Sequence, residues 1–137
     1  MNDISTPSPD GRHQLILKFE GEIRFGPNYY TVHLDGVLLE DVIAGDEARW
    51  LSNDLVAIQE WMTTAEHFGP NTCLLLLDVT KRALYRTSVL HKGFVGGFKL
   101  NANKVHYQRI RFGWSGRKEV EEVVLDLDDV QDWKPMA

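Results

Sequence analysis

The sequence lacks the features that mark several common classes of protein. Its 137 residues include a single cysteine, Cys73, so it has neither a disulfide framework nor a zinc-type cysteine spacing. No apolar run approaches the ~20 residues that a membrane-spanning helix needs. The first nine residues carry neither the basic segment nor the apolar core of a secretory signal. These absences predict a soluble, cytoplasmic protein with no membrane partner, in which the cysteine is a small buried hydrophobe.

Patterns typical of catalysis and of metal binding are also missing. The five histidines are scattered, without the close spacing of a metal-ligand pair. There is no G-x-S-x-G motif, and the glycines at 93–97 lack the lysine and helix of a phosphate-binding loop. The acidic run at 126–129 lacks the glycine and the downstream glutamate of a calcium loop. We therefore expect no cofactor, no metal and no catalytic residue.

The hydrophobic pattern predicts strands. No window of 11 or more residues gives a convincing helical period. Leu15, Leu17 and Phe19 instead recur at every second position, which is typical of a strand, although Ile16 interrupts the polar side of the pattern. The dipeptide Asp35-Gly36 between two such runs is a strong signal for a tight hairpin. We expect an all-β chain whose most buried strand spans residues 73–77, where five apolar residues follow one another.

A repeat organises these strands. The tetrapeptide Phe-Gly-Pro-Asn occurs at 25–28 and again at 68–71, each time between two predicted strands, and Phe112-Gly113 is a looser third copy. The period is about 43 to 48 residues. We predict a disordered leader over 1–8 and a single domain over 9–137, with repeats near 9–50, 51–98 and 99–133.

The motif Ser-Pro-Asp-Gly-Arg at 8–12 and the later Asp35-Gly36 resemble the turns of blades in TolB-type and WD-repeat β-propellers. The resemblance covers residues 8–133 as a pattern, without the Gly-His and Trp-Asp signatures of WD repeats. It implies antiparallel, blade-like units. Because closed propellers usually need four or more blades, we expect an open stack or a β-sandwich. A dimer that covers its ends, or an all-β domain of unrelated topology, is the alternative.

The loops between the first two strands of each repeat would lie on one rim. Aromatic side chains in loops on a rigid sheet are typical of protein interfaces. The other interpretation is that the two repeated phenylalanines anchor their loops under the sheets. The predicted partner-binding residues are Glu22, Phe25, Trp61, Glu66, Phe68 and Trp114.

Charge argues against nucleic acid as the partner. The net charge is −5, and although residues 99–118 carry six lysines and arginines and no acid, residues 119–132 carry seven acids. If these segments pair as a hairpin, cross-strand pairs neutralise the basic strip.

We expect a non-catalytic protein-binding module. The chain also resembles short, acidic, all-β bacterial immunity proteins, which implies occlusion of a basic toxin or enzyme. One alternative is a small-ligand-binding protein or hydrolase with Glu20, Glu60 or His106 in a cleft between blades. The other is a homodimerising propeller remnant.

Overall fold

The computed structural model describes residues 3–23, 26–64, 69–113 and 115–136. These residues form twelve strands, all paired antiparallel, and one short 3-10 helix at Leu127–Asp129. The strands are β1 Ile4–Pro7, β2 Gln14–Glu22, β3 Asn28–Leu34, β4 Val37–Trp50, β5 Leu55–Trp61, β6 Asn71–Asp78, β7 Ala83–Arg86, β8 Leu90–His91, β9 Gly93–Asn101, β10 Lys104–Phe112, β11 Lys118–Asp126 and β12 Lys134–Pro135.

Nine strands form one sheet and three form a second. The first sheet runs β1 to β7 in chain order and ends with β12, and β8 pairs with β6. Strands of the first two predicted repeats therefore share this sheet. The second sheet has the order β11-β10-β9. The predicted all-β, antiparallel and open architecture is confirmed.

The leader is where the expectation needs correction. Residues 4–7 form β1, which pairs with β2 from Ile4↔Leu17 to Pro7↔Gln14. Ile4 packs against the core of the first sheet. The segment is ordered because its alternating residues present one face to that core while its backbone bonds to β2. A short, mostly polar sequence that contains Pro7 gave no local signal of such pairing.

The nine-stranded sheet curls around one of its own faces. Ala44 of β4 pairs with both Tyr30 of β3 and Glu60 of β5, and the register of β4 then shifts. A bulge of this kind bends a strand and increases its twist. At the far end of β4, the Trp50 indole N–H donates to the carbonyl oxygen of Thr6 in β1 at 3.0 Å. The curl thus brings β4 against β1, although β2 and β3 lie between them in the sheet.

The concave face of this sheet holds the first core. Its buried side chains come from β2 to β7, and they include Leu17, Val32, Ile58, Leu75 and Leu77. The opposite face of β5 and β6 packs against the second sheet through Ala57, Leu74, Leu76, Val95, Phe98 and Val105. All seven residues of β5 and six of the eight in β6 are buried. The predicted burial of 73–77 is therefore confirmed.

The tight hairpin is also confirmed. Asp35 and Gly36 have φ values of 50° and 82°. Positive φ at both central residues is the type I′ turn that joins twisted antiparallel strands, and Asp-Gly suits it because these residues tolerate positive φ.

Candidate functional site

The strand ends that flank the three predicted rim loops lie on one side of the molecule. Ala44 pairs with Tyr30 and with Glu60, so β3 begins and β5 ends at the same level of the sheet. Gly93 pairs with Arg111 near the end of β10, and its N–H donates to the carbonyl oxygen of Pro70 at 2.8 Å. The tip of the β10–β11 hairpin is therefore next to the β5–β6 loop.

Of the six predicted partner-binding residues, two lie in the described part of the chain. Glu22 is exposed at the end of β2. Trp61 is only 5% exposed, which corrects its expected role on the surface. Its indole N–H donates to Gln59 Oε1 at 3.3 Å, and its ring meets Phe94 edge to face with centroids 5.6 Å apart. Phe25, Glu66, Phe68 and Trp114 lie outside the described residues.

The basic strip pairs with the acidic segment as predicted. β10 and β11 form a continuous ladder from Lys104↔Asp126 to Phe112↔Lys118, which places Arg109 opposite Glu121. Arg109 Nε lies 3.7 Å from Glu121 Oε1. Because cross-strand charges of opposite sign lie within contact distance, the strip does not stand as an isolated basic surface.

The two faces of this hairpin differ sharply in burial. Val105 and Tyr107 face the nine-stranded sheet and are 0% and 6% exposed. Alternation along the strands puts the even-numbered residues on the outer face. There, Ile110 pairs with Val120 and Phe112 is the next outer residue of β10, whereas Val124 lies beyond the pair Gln108–Glu122. Phe112, Val120 and Val124 are 57%, 45% and 54% exposed.

We call Ile110, Phe112, Val120 and Val124 the outer strip. The polar pair Gln108–Glu122 lies between Ile110–Val120 and Val124, and its Gln108 Nε2 donates to Glu122 Oε1 at 2.9 Å. His106 pairs with Val124. Exposed aromatic and aliphatic side chains beside polar ones are typical of a protein interface. The alternation of Ile110 and Phe112 was visible in the sequence. This alternation does not indicate which face of the hairpin the other sheet would cover.

The residues of the alternative cleft do not come together. Glu60 is 2% exposed on the concave side of β5, where Arg86 Nε and Nη2 donate to its two carboxylate oxygens at 2.6 and 3.0 Å. Glu20 is exposed on β2. His106 lies on the outer face of the other sheet. The ion pair with Arg86 fully engages Glu60, and burial together with Glu60 raises the pKa of the neighbouring Cys73 thiol.

A cleft of about 320 Å³ lies where the two sheets meet at the opposite end of β5. Its lining includes Asp54, Asp78, Lys81, Asp128 and Trp133. Asp54 Oδ1 accepts from the Thr80 hydroxyl at 2.9 Å, and Asp78 Oδ1 accepts from the Lys81 N–H at 3.0 Å. Both carboxylates therefore order the β6–β7 turn. Within the described ranges, no group of three or more histidine, cysteine or acidic residues could hold a metal ion.

No family model, curated protein or solved structure matches the chain. Among the residues that the structure describes, no helix has the length and apolar character needed to cross a membrane.

Proposed function

We propose that this chain is a non-catalytic protein-binding module and that the outer strip is its contact surface. The observation that supports this is the cluster of apolar side chains exposed side by side on one face of a regular hairpin. The opposite face of the same hairpin is packed into the core. A hairpin that is packed on one face and exposes large apolar side chains on the other is expected to bind another protein.

The partner is a protein with a basic surface. β11 carries four acids against one lysine, and the whole chain has a net charge of −5. Acidic residues around an apolar centre attract a basic partner and speed its association. An inhibitor or immunity protein that occludes a basic toxin or enzyme is the version of this function that we favour. For such an inhibitor, we expect the partner to lose its activity when the chain binds to it.

The test uses two matched surface variants. Phe112→Ser removes the most exposed side chain of the outer strip, and Val37→Ser removes a similarly exposed side chain, 49%, at the β3–β4 hairpin. Tagged versions of the full chain are used to capture partners from cells that naturally express it. We expect one near-stoichiometric partner with the natural chain and with Val37→Ser. Binding should fall at least tenfold with Phe112→Ser, because such anchors dominate interface energy.

Equal capture by Phe112→Ser and the natural chain would refute the proposed surface. Sedimentation addresses the remaining alternative. A stable dimer that Phe112→Ser dissociates would assign the outer strip to a second copy of the chain.

A further inference from the structure

The hydrogen bonds of the β10–β11 hairpin define which backbone groups of β11 face outward. The Gly113 N–H donates to the Arg117 carbonyl oxygen at 2.7 Å, and the Leu127 N–H donates to the Asn103 carbonyl oxygen at 2.9 Å. These bonds lie at the two ends of the ladder and belong to the same register. In an antiparallel pair, bonded and non-bonded positions alternate. The odd-numbered residues of β11 therefore bond to β10.

The even-numbered residues of β11 point their N–H and C=O groups away from β10. In the part of the chain that the structure describes, β11 pairs with β10 alone. The ladder between them has no bulge over nine residue pairs, and β11 contains no proline. β11 therefore lacks the bulge and the proline that often keep an edge strand from pairing with another chain. Only its charged side chains could have this effect. The outward groups belong to Lys118, Val120, Glu122, Val124 and Asp126.

Charge along this edge distinguishes between possible occupants. β11 has one basic residue, Lys118, and four acidic residues, which are Glu119, Glu121, Glu122 and Asp126. Glu121 keeps 64% of its side chain exposed despite Arg109, so this pair leaves the carboxylate available to a partner. Two copies of β11 side by side would repel each other. An extended segment with lysine or arginine opposite the acids, and apolar residues opposite Val120 and Val124, would be attracted.

We infer that β11 is a docking edge, to which an extended basic segment of the partner protein adds as a fourth antiparallel strand of the second sheet. Backbone hydrogen bonds to the even-numbered residues supply affinity, and the alternating side chains supply specificity. The added strand extends the outer strip, because its apolar residues lie beside Val120 and Val124 on the same face. The inference rests on the proposed function and names the mode of binding.

A synthetic peptide tests the edge directly. The capped sequence Lys-Thr-Val-Thr-Lys-Lys-Val-Lys-Thr places lysine opposite each acid of β11 and valine opposite Val120 and Val124. Two controls share its length. In one, glutamate replaces lysine, and in the other the third, fifth and seventh amides are N-methylated. These amides would donate to the carbonyl oxygens of Val124, Glu122 and Val120. Methylation therefore removes the hydrogen bonds between the peptide and β11 and leaves the charge of the peptide unchanged.

The readout is exchange of backbone amide protons with water, measured by NMR on the full-length chain. At about 80% occupancy by the lysine peptide, exchange at Val120, Glu122 and Val124 should slow about fivefold, since only the free chain exchanges. Neither control should slow it. Unchanged exchange with about 5 mM lysine peptide, or equal protection by either control peptide, would overturn the inference.

Two variants at position 120 test whether the peptide and the partner protein bind to the same edge of β11. Val120→Pro removes an outward N–H while leaving the bonds to β10 in place, which proline tolerates at a strand edge. Val120→Thr keeps the N–H. We expect Val120→Pro to abolish both peptide protection and partner capture, and Val120→Thr to retain more than half of each. As a control for folding, the thermal unfolding curve of each variant is compared with that of the natural chain.

The outcomes separate the two proposals. If Phe112→Ser loses the partner while Val120→Pro retains it, the outer strip binds without strand addition, and this inference alone fails. If both variants retain the partner, the proposed function fails as well.

Discussion

At the scale of single residues, stability depends on the ion pair between Glu60 and Arg86 inside the curled sheet. Glu60 is 2% exposed, and Arg86 binds both of its oxygens. We expect Arg86→Met to lower the free energy of unfolding by about 3 kcal/mol, because it leaves a buried carboxylate without a partner. Urea unfolding measures this loss. The estimate is at the low end of the range for buried pairs because 37% of the Arg86 side chain reaches solvent.

The double variant Glu60→Leu/Arg86→Met is the matched control. Replacing both charges with apolar groups removes the desolvation penalty, so most of the lost stability should return. A single variant that costs under about 1 kcal/mol, or a double variant no more stable than the single one, would contradict this account.

Asp35 makes a smaller, pH-dependent contribution. Burial opposes ionisation, but hydrogen bonds from His13 and from the Gln14 N–H outweigh it and lower the pKa of Asp35. The folded pKa lies below the unfolded value, so this stabilisation is present above about pH 4 and disappears as the pH falls through the folded pKa. Asp35→Asn should cost under about 1 kcal/mol at pH 7, since 36% of the side chain is exposed.

The comparison is made by urea unfolding at pH 7 and at pH 2.5. Asparagine suits the same turn, so the two proteins should approach equal stability at the lower pH. A difference that stays constant between the two pH values would show that the carboxylate charge is not responsible.

At the scale of elements, the packing of β5 side chains against the irregular part of β4 depends on Gly45. A Cβ at this position would overlap Gln59 Oε1 and would lie 2.6 Å from Trp61 Nε1. Gly45→Ala should therefore destabilise the protein by about 1 to 3 kcal/mol through overpacking. Gly113→Ala is the control, because its added Cβ would meet its nearest neighbours at 3.5 and 3.6 Å, an ordinary contact distance. Thermal unfolding of both variants checks the prediction, and equal midpoints would refute it.

At the scale of the whole molecule, stability should be graded from the centre to the hairpin. β5 and β6 are buried on both faces, whereas all nine residues of β11, among them Val120 and Val124, are intermediate or exposed. In the described part of the chain, β11 has one neighbouring strand. Hydrogen exchange followed by mass spectrometry should find the slowest amides in β6 and the fastest in β11, because exchange reports local opening. Equal protection in the two strands would contradict this gradient.

Much of the local structure was determined by the sequence. Alternating apolar residues placed the strands, and Asp35-Gly36 placed a type I′ turn, because side-chain direction and turn geometry depend on a few neighbouring residues. The sequence raised the hairpin between 99–118 and 119–132 as a condition for neutralising the basic strip, and β10 and β11 do pair in this way. Burial of 73–77 followed from an unbroken apolar run.

Only the tertiary structure decided what depends on distant segments. Local sequence cannot specify that residues 4–7 complete a sheet, or that Trp61 is covered by Phe94. It also left open which face of the β10–β11 hairpin would meet the other sheet. The first outcome depends on the curl that brings β4 against β1. The other two depend on how β9 packs against β5 and β6. Among the described residues, the outer strip and the outer edge of β11 are exposed because the nine-stranded sheet packs against the other face of the second sheet.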